Sequence, residues 1–285
     1  MKQRTIGDRE VSAVGLGGMP MSIEGRPDAE RSIATVHAAL DAGVTLIDTA
    51  DAYHRDAGEV GHNEELIARA LREYGGGADV LVATKGGHLR PGDGSWTKDG
   101  HPEYLKEAAK ASARRLGVDA IGLYQFHRPD PQVPYADSIG AIRELLDEGV
   151  IAMAGISNAN IEQIDQANEI LGGRLASVQN QFSPRFRSSQ GELEHCVKLG
   201  IAFLPWSPLG GIANAPELAS RHAEFQKVAD ELGVSVHRAT LAWELALAPV
   251  VVPIPGASRP ESIRDSAAAD EVELTDDQVA RLSAA

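Results

Sequence analysis

One cysteine, Cys196, leaves no partner for an intrachain disulfide, which suits a reducing compartment, so a cytoplasmic protein is expected. Basic residues are scarce. The 27 Lys and Arg stand against 41 Asp and Glu, for a formal charge of -14 and a pI near 5.1. Nucleic acid and anionic membrane surfaces both demand a basic face, so neither is an expected partner, although a local basic pocket for a phosphate is compatible with the total. Long apolar runs are missing too. The opening MKQRTIGDREVS has no apolar core of a signal peptide. The most apolar late stretch, 245–254, is interrupted by Pro249 and Pro253 and is too short to span a bilayer. No His/Cys spacing suggests a metal site.

What is there is ample core material in strict alternation. An apolar content of 43% and a mean hydropathy of -0.19 describe an ordinary globular chain. Short apolar runs fall at 14–16, 44–47, 80–83, 121–126, 151–156, 176–178, 201–204 and 250–254. Amphipathic stretches between them predict helices at 29–42, 64–73, 102–116, 136–148, 161–171 and 191–199, over the long 217–247 region, and at 276–282. In 136–148, Ile139, Ile142, Leu145 and Leu146 recur at three- and four-residue steps, which builds one buried stripe. The strings LDAGV, LDEGV and KLGI put glycine where a helix closes before the next strand.

Strand–helix alternation of this kind requires a parallel sheet, because parallel strands need long crossovers. Eight units without linker or composition break predict one α/β domain over 1–285, a closed (β/α)8 TIM barrel. The alternation around the Gly-Asp turn of RTIGDREVS predicts a short N-terminal β-hairpin before it. An open doubly wound sheet is the alternative, but it calls for a G-x-G-x-x-G turn opening a helix. VGLGGM at 14–19 is followed by Pro20 and no helix, so that alternative is set aside.

In such a barrel the C-terminal strand ends share one rim, where the chemistry is done. Successive runs there end in Asp48, Lys85, His127, Ser157-Asn158, Gln179-Asn180-Gln181, Trp206-Ser207-Pro208 and PIPGASR. Singly, each charge reads as a solvated surface group. Together they make a set, because adjacent strands lie about 5 Å apart and Asp48 can pair with Lys85, with His127 one strand on. Tyr53 follows in the string TLIDTADAYH. Its phenol, ordinarily near pKa 10, is expected to be pulled down by the Lys85 cation, which Asp48 holds in place, while a neutral His127 donates to a carbonyl oxygen. That device protonates an oxygen as negative charge builds on it. Something else must deliver electrons to the carbon, which implies a hydride cofactor. Asp51 and His54 find no partner and read as loop residues.

The ordered strings DTADAY, ATKGG, YQFHRPD, GISN, VQNQFSP, PWSPLGG and IPGASRPESI resemble the signature set of the aldo-keto reductase family over essentially the whole chain. The resemblance implies NAD(P)H-dependent reduction of aldehydes or ketones. Asp48, Tyr53, Lys85 and His127 match the catalytic tetrad, with Tyr53 as the acid. Ser157, Asn158 and Gln179 match the nicotinamide carboxamide contacts, and Trp206 the aromatic stacked on that ring, against simple rim packing. Gly18, Met19 and Asp48 are expected beside the cofactor, and Ser207, Pro208 and Leu209 where a loop crosses the pyrophosphate. Gly256, Ser258, Arg259 and Ser262 fall in the adenosine-phosphate segment. Many NADPH-preferring members carry lysine in place of Gly256 and arginine in place of Ser262. Ser258 and Arg259 are then left to hold a 2′-phosphate, so NADPH is expected with NADH possible; Arg259 as a plain surface residue is the alternative. Asp265 and Ser266 fall at adenine-edge positions.

Met21, Tyr53, Trp96 and His127 are expected to meet the substrate. Trp96 sits in the polar, glycine-rich 86–100 stretch, read as a mobile binding loop, where it is either a pocket wall or the loop's anchor. The chain ends soon after its last predicted helix, so an open pocket of broad appetite is expected, in a monomer or weak homo-oligomer. Two other functions fit parts of the pattern: a Schiff-base aldolase using Lys85, which Asp48 opposes by keeping the lysine charged, and a cofactor-binding regulatory subunit of the same fold.

Overall fold

The computed structural model describes residues 1–285 except 78 and 213, and for 216 the backbone only. Its strands are β1 Gln3–Ile6, β2 Arg9–Ser12, β3 Leu16–Gly17, β4 Leu46–Asp48, β5 Leu81–Gly86, β6 His88–Leu89, β7 Thr97–Lys98, β8 Ile121–Phe126, β9 Ile151–Ser157, β10 Leu175–Gln179 and β11 Ala202–Phe203. Seven of them form one parallel sheet in the order β11-β10-β9-β8-β5-β4-β3. β1 and β2 pair as the expected antiparallel hairpin.

The eighth stave is the irregular 250–256 segment. Phe203 N–H donates to the Val250 carbonyl at 2.8 Å and Val252 N–H to the Phe203 carbonyl at 2.9 Å, which joins it to β11. Gly15 and Gly17 donate to the Pro253 and Pro255 carbonyls at 2.9 Å, which joins it to β3. Prolines have no N–H to return on that side, so the segment bonds both edges of the sheet without becoming a regular strand. The architecture is the (β/α)8 barrel.

Helices cover the outside: α1 Ala29–Asp41, α2 His62–Tyr74, α3 Pro102–Leu116, α4 Tyr135–Asp147, α5 Ile161–Ile170, α6 Gln190–Leu199, α7 Leu218–Arg221, α8 Ala223–Leu232, α9 Val236–Leu247, α10 Pro260–Ala267 and α11 Asp276–Ala284. The stripe read in α4 is real, with Ile139, Ile142 and Leu145 fully buried against β8 and β9 residues. The region read as one helix over 217–247 is three. His222 leaves helical geometry between α7 and α8, Gly233 closes α8 in a left-handed conformation (φ 67°), and the Ser235 side chain caps α9.

Two faces of each strand build two cores. Outward residues such as Tyr124, Phe126, Ile156 and Val178 pack against the helices. Inward residues Leu46, Leu81, Ala83, Leu123, Met153 and Leu204 fill the lower barrel with Ile6 and Val11, so the hairpin plugs the N-terminal mouth. Because strand side chains alternate with period 2, the next inward positions are Asp48, Lys85, Gln125 then His127, Ser157, Gln179 and Trp206. The interior therefore turns from apolar to polar toward the rim. Among the described residues no helix is long and apolar enough to cross a membrane.

Candidate active site

Lys85 is the hub. Its side chain is wholly buried, and Nζ donates to Asp48 Oδ2 at 2.7 Å, to the Thr49 carbonyl at 2.8 Å and to Tyr53 Oη at 3.0 Å. All three ammonium donors are thereby used. Burial works to lower its pKa, but the charges and bonds of Asp48 and Tyr53 prevail and hold it above the ordinary lysine range. Asp48 Oδ1 accepts from Gln179 Nε2 at 2.8 Å and Gln125 Nε2 at 3.4 Å, so the carboxylate is fixed from both sides.

Tyr53 differs from expectation in one respect. Lys85 does pull its phenol toward ionisation, but burial outweighs that pull and the net direction is upward. The rim excludes water from a 7% exposed phenol, a cost that local charge arithmetic on the sequence ignores. The ring of His127 stands edge-on to Tyr53, with centroids 5.9 Å apart. Burial, then Lys85, His88 and Arg128, drive His127 well below its ordinary pKa, so the imidazole is neutral. Its Nδ1 is buried with no partner among the described residues.

Asp48, Tyr53 and His127 line the floor of a cavity of about 570 Å³, and Lys85 lies buried beneath them. Its walls include Met19, Ser157, Asn158, Gln179, Trp206, Ser207, Pro208, Leu209, Gly256 and Trp96, as the sequence suggested. Ser157 Oγ is taken up by the Gln179 carbonyl at 2.7 Å and by Asn158 Nδ2 at 2.9 Å, so it braces its neighbours. Asn158 Nδ2 also donates to the His127 carbonyl, and Gln179 Nε2 to Asp48, which leaves the two amide oxygens, Asn158 Oδ1 and Gln179 Oε1, without internal donors among the described residues. Two acceptors of this kind match a primary carboxamide NH₂. Among the described residues, Asn158 (φ 58°) and Ser207 (φ 53°) are the non-glycine residues held in the left-handed region, and both line the cavity, as strained backbone tends to do at working sites. The acceptor pair thus fits a nicotinamide carboxamide between Asn158, Gln179 and the Trp206 indole.

Other positions fall elsewhere. Met21 is fully buried with Leu16, Ile33 and Ile67 under α1 and α2, so it does not line the substrate cavity. Gly18 is also absent from the walls. Its N–H donates to the Asp48 carbonyl at 2.8 Å and its carbonyl accepts from Asn63, so its backbone serves the fold. Ser258, Arg259 and Ser262 lie past the cavity at the start of α10, where Arg259 is exposed and bonds nothing with its side chain among the described residues. Asp265 is engaged by Ser235 and Arg238. The 86–100 stretch is organised: β6 and β7 pair, and Trp96 is stacked on His88 at 4.6 Å with the Arg90 guanidinium 4.7 Å from its ring. Trp96 is both wall and anchor.

Asp51 and His54 have partners after all. His54 Nδ1 bonds the Asp56 carbonyl at 2.8 Å, and its own carbonyl accepts from Arg90. Asp51 N–H donates to the Lys85 carbonyl and Oδ2 accepts from Tyr104, while Oδ1 is buried alone. Sequence reasoning also missed His88, Lys98, Arg128 and Ile212 as wall residues. Arg128 had a signal, since it follows His127 at a strand end; Lys98 and Ile212 had none.

A profile of the Aldo/keto reductase family matches residues 13–285. An uncharacterised oxidoreductase of Schizosaccharomyces pombe is 34% identical over 281 residues, covering 97% of this chain and 87% of the relative. The 6-dehydroglucose reductase of Novosphingobium aromaticivorans is 35% identical over 276 residues, 92% and 87% of the two chains. The structure of an aldo-keto reductase from Klebsiella pneumoniae in complex with NADPH superposes with a TM-score of 0.82 at 26% identity, covering 100% of this chain and 95% of that one.

Proposed function

The chain belongs to the aldo/keto reductase family, and from that premise we propose that it reduces a small aldehyde or ketone to the alcohol, with NADPH as the preferred cofactor and Tyr53 as the proton donor. A bound nicotinamide supplies hydride to the carbonyl carbon. Every other task falls to this chain's residues. A neutral His127 offers an N–H to the carbonyl oxygen and orients it over Tyr53. Tyr53 keeps its proton until charge develops on that oxygen, because burial disfavours the phenolate. Once the proton leaves, Lys85 at 3.0 Å stabilises the phenolate, and Asp48 and the Thr49 carbonyl stop the ammonium from turning away. Trp206, Pro208 and Leu209 supply the apolar walls that exclude water.

The observation that carries this reading is the three-way bonding of Lys85 to Asp48, Thr49 and Tyr53 directly beneath the floor of the cavity. The same observation speaks against a Schiff-base role, since a lysine held protonated is no nucleophile. The Klebsiella neighbour's NADPH supports the cofactor class, and the exposed Arg259, unpaired among the described residues, supports a 2′-phosphate contact. Tyr53→Phe tests the acid. It should lower kcat/KM for 4-nitrobenzaldehyde by about 10²–10⁴-fold with NADPH affinity nearly unchanged. Turnover at the parental rate would remove Tyr53 from its role.

A further inference from the structure

Two cations face the cavity, and neither makes an ion pair among the described residues. Arg128 follows His127 just past the end of β8, lines the cavity, and has its Nε buried without a hydrogen bond among the described residues. Lys98 ends β7, lines the same cavity from the hairpin that carries Trp96, and makes no ion pair among the described residues. Several other cations in this acidic chain are matched, Arg26 by Glu59, Arg115 by Glu64, Arg174 by Asp147 and Arg281 by Glu224 and Glu231. Arg259 and others on the surface are not, among the described residues; what sets Arg128 and Lys98 apart is that both line the cavity.

The local carboxylates are accounted for. Asp48 lines the cavity but is bound to Lys85 and Gln179. Asp130 acts on Lys98 from outside the cavity, while its own oxygens accept the Gly100 and Gln132 N–H groups at 3.0 Å. Both cations converge on His88, whose ring packs edge-on to His127 at 4.9 Å. Burial first, then Arg128 and Lys98, push His88 down to about 4, so it stays neutral and adds no third positive charge beside theirs. These groups belong to the substrate side of the cavity, with Trp96 and His127. The residues assigned to cofactor come chiefly from β9, β10, the 206–209 loop and the 256–262 segment.

We infer that Arg128 and Lys98 form an anion-recognition element, and that the preferred substrate is a small aldehyde or ketone carrying a carboxylate within a few bonds of its carbonyl. A guanidinium presents a planar fork that a carboxylate matches in two hydrogen bonds, with Lys98 as a second point charge. The inference rests on the reductase reading of the same cavity.

The test compares kcat/KM with NADPH for matched pairs: 4-oxobutanoate and its methyl ester, 4-formylbenzoate and its methyl ester, glyceraldehyde 3-phosphate and glyceraldehyde. The parent should favour each acid over its ester roughly tenfold or more, the worth of one charge-assisted hydrogen bond. Arg128→Gln should bring that ratio close to one through a raised KM for the acid. Arg128→Lys should keep part of it, and Lys98→Gln, at an exposed site, should lower it. Esters reduced as well as acids, or a ratio untouched in both Gln variants, would overturn the inference while the reductase reading stands. Preference for the phosphate over its alcohol without preference for either acid would overturn the carboxylate assignment. If no carbonyl compound in the set consumes NADPH or NADH, the reductase reading itself falls, and the inference with it.

Discussion

Replacing Asp51 with asparagine should stabilise the protein, and only above acidic pH. Burial first, and the Glu64 carboxylate second, push the Asp51 carboxyl from 3.8 up to about 8. At pH 7 the folded protein therefore holds a neutral acid whose proton the unfolded chain has already released. Between those two values the unfolded state binds fewer protons, so stability falls as pH rises, by about 1.36 kcal/mol per unit. From pH 3.8 to 7 the loss is on the order of 4 kcal/mol. Asparagine has the same shape and no charge at any pH, and its amide oxygen can accept the Tyr104 hydroxyl that Asp51 Oδ2 accepts at 3.4 Å. Its NH₂ replaces a buried Oδ1 that has no partner among the described residues. Asp51 borders a side cavity of about 300 Å³ lined also by Tyr104, Glu107 and Arg115. A new unpaired donor costs about 1–3 kcal/mol, which leaves a net gain of about 1–3 kcal/mol at pH 7. With about 2.1 cal/mol/K of unfolding entropy per residue, that is a rise in Tm of roughly 2–5 °C. Calorimetric melting of parent and Asp51→Asn from pH 4.5 to 8.5 should show the variant gaining on the parent with pH and levelling off near pH 8. A Tm difference that does not change with pH would mean that Asp51 is ionised in the folded state, and the assignment of a buried neutral acid would be wrong.

Two further outcomes are expected. Arg259→Ala should lower the kcat/KM ratio of NADPH over NADH about tenfold or more, since a phosphate contact is charge-assisted; an unchanged ratio would leave Arg259 a surface residue. Gly18→Ala should destabilise by about 1–3 kcal/mol in urea titrations, because a Cβ there would stand 2.4 Å from Asn63 Oδ1 and 3.0 Å from the Asp48 carbonyl. Asn63 cannot easily yield, being held by Thr49, Gly18 and Ser22.

Much of this molecule is legible before any coordinate. Apolar runs with turn glycines behind the helices specify the elements, and period-2 alternation then dictates that Asp48, Lys85, His127, Ser157 and Gln179 share the inner face of one sheet. Those are local properties, written in consecutive residues. The eighth stave was foreseen as a strand, but its prolines make it an irregular segment bonded to both edges. Met21, apolar and next to the rim in sequence, turned into the helix layer, because a short 3₁₀ turn over Met19–Met21 points one methionine at the cavity and the other at the core.

What escaped the sequence depends on burial and on partners far along the chain. The upward direction of Tyr53, the neutral Asp51 and the neutral His88 follow from water being excluded, which no string of letters displays. Lys98 and Arg128 are separated by 30 positions and become one cationic wall only when the β6–β7 hairpin folds against the end of β8. Periodicity arises from neighbours in the chain and survives in the sequence. Desolvation and charge balance arise from neighbours in space, so the folded barrel alone decides them.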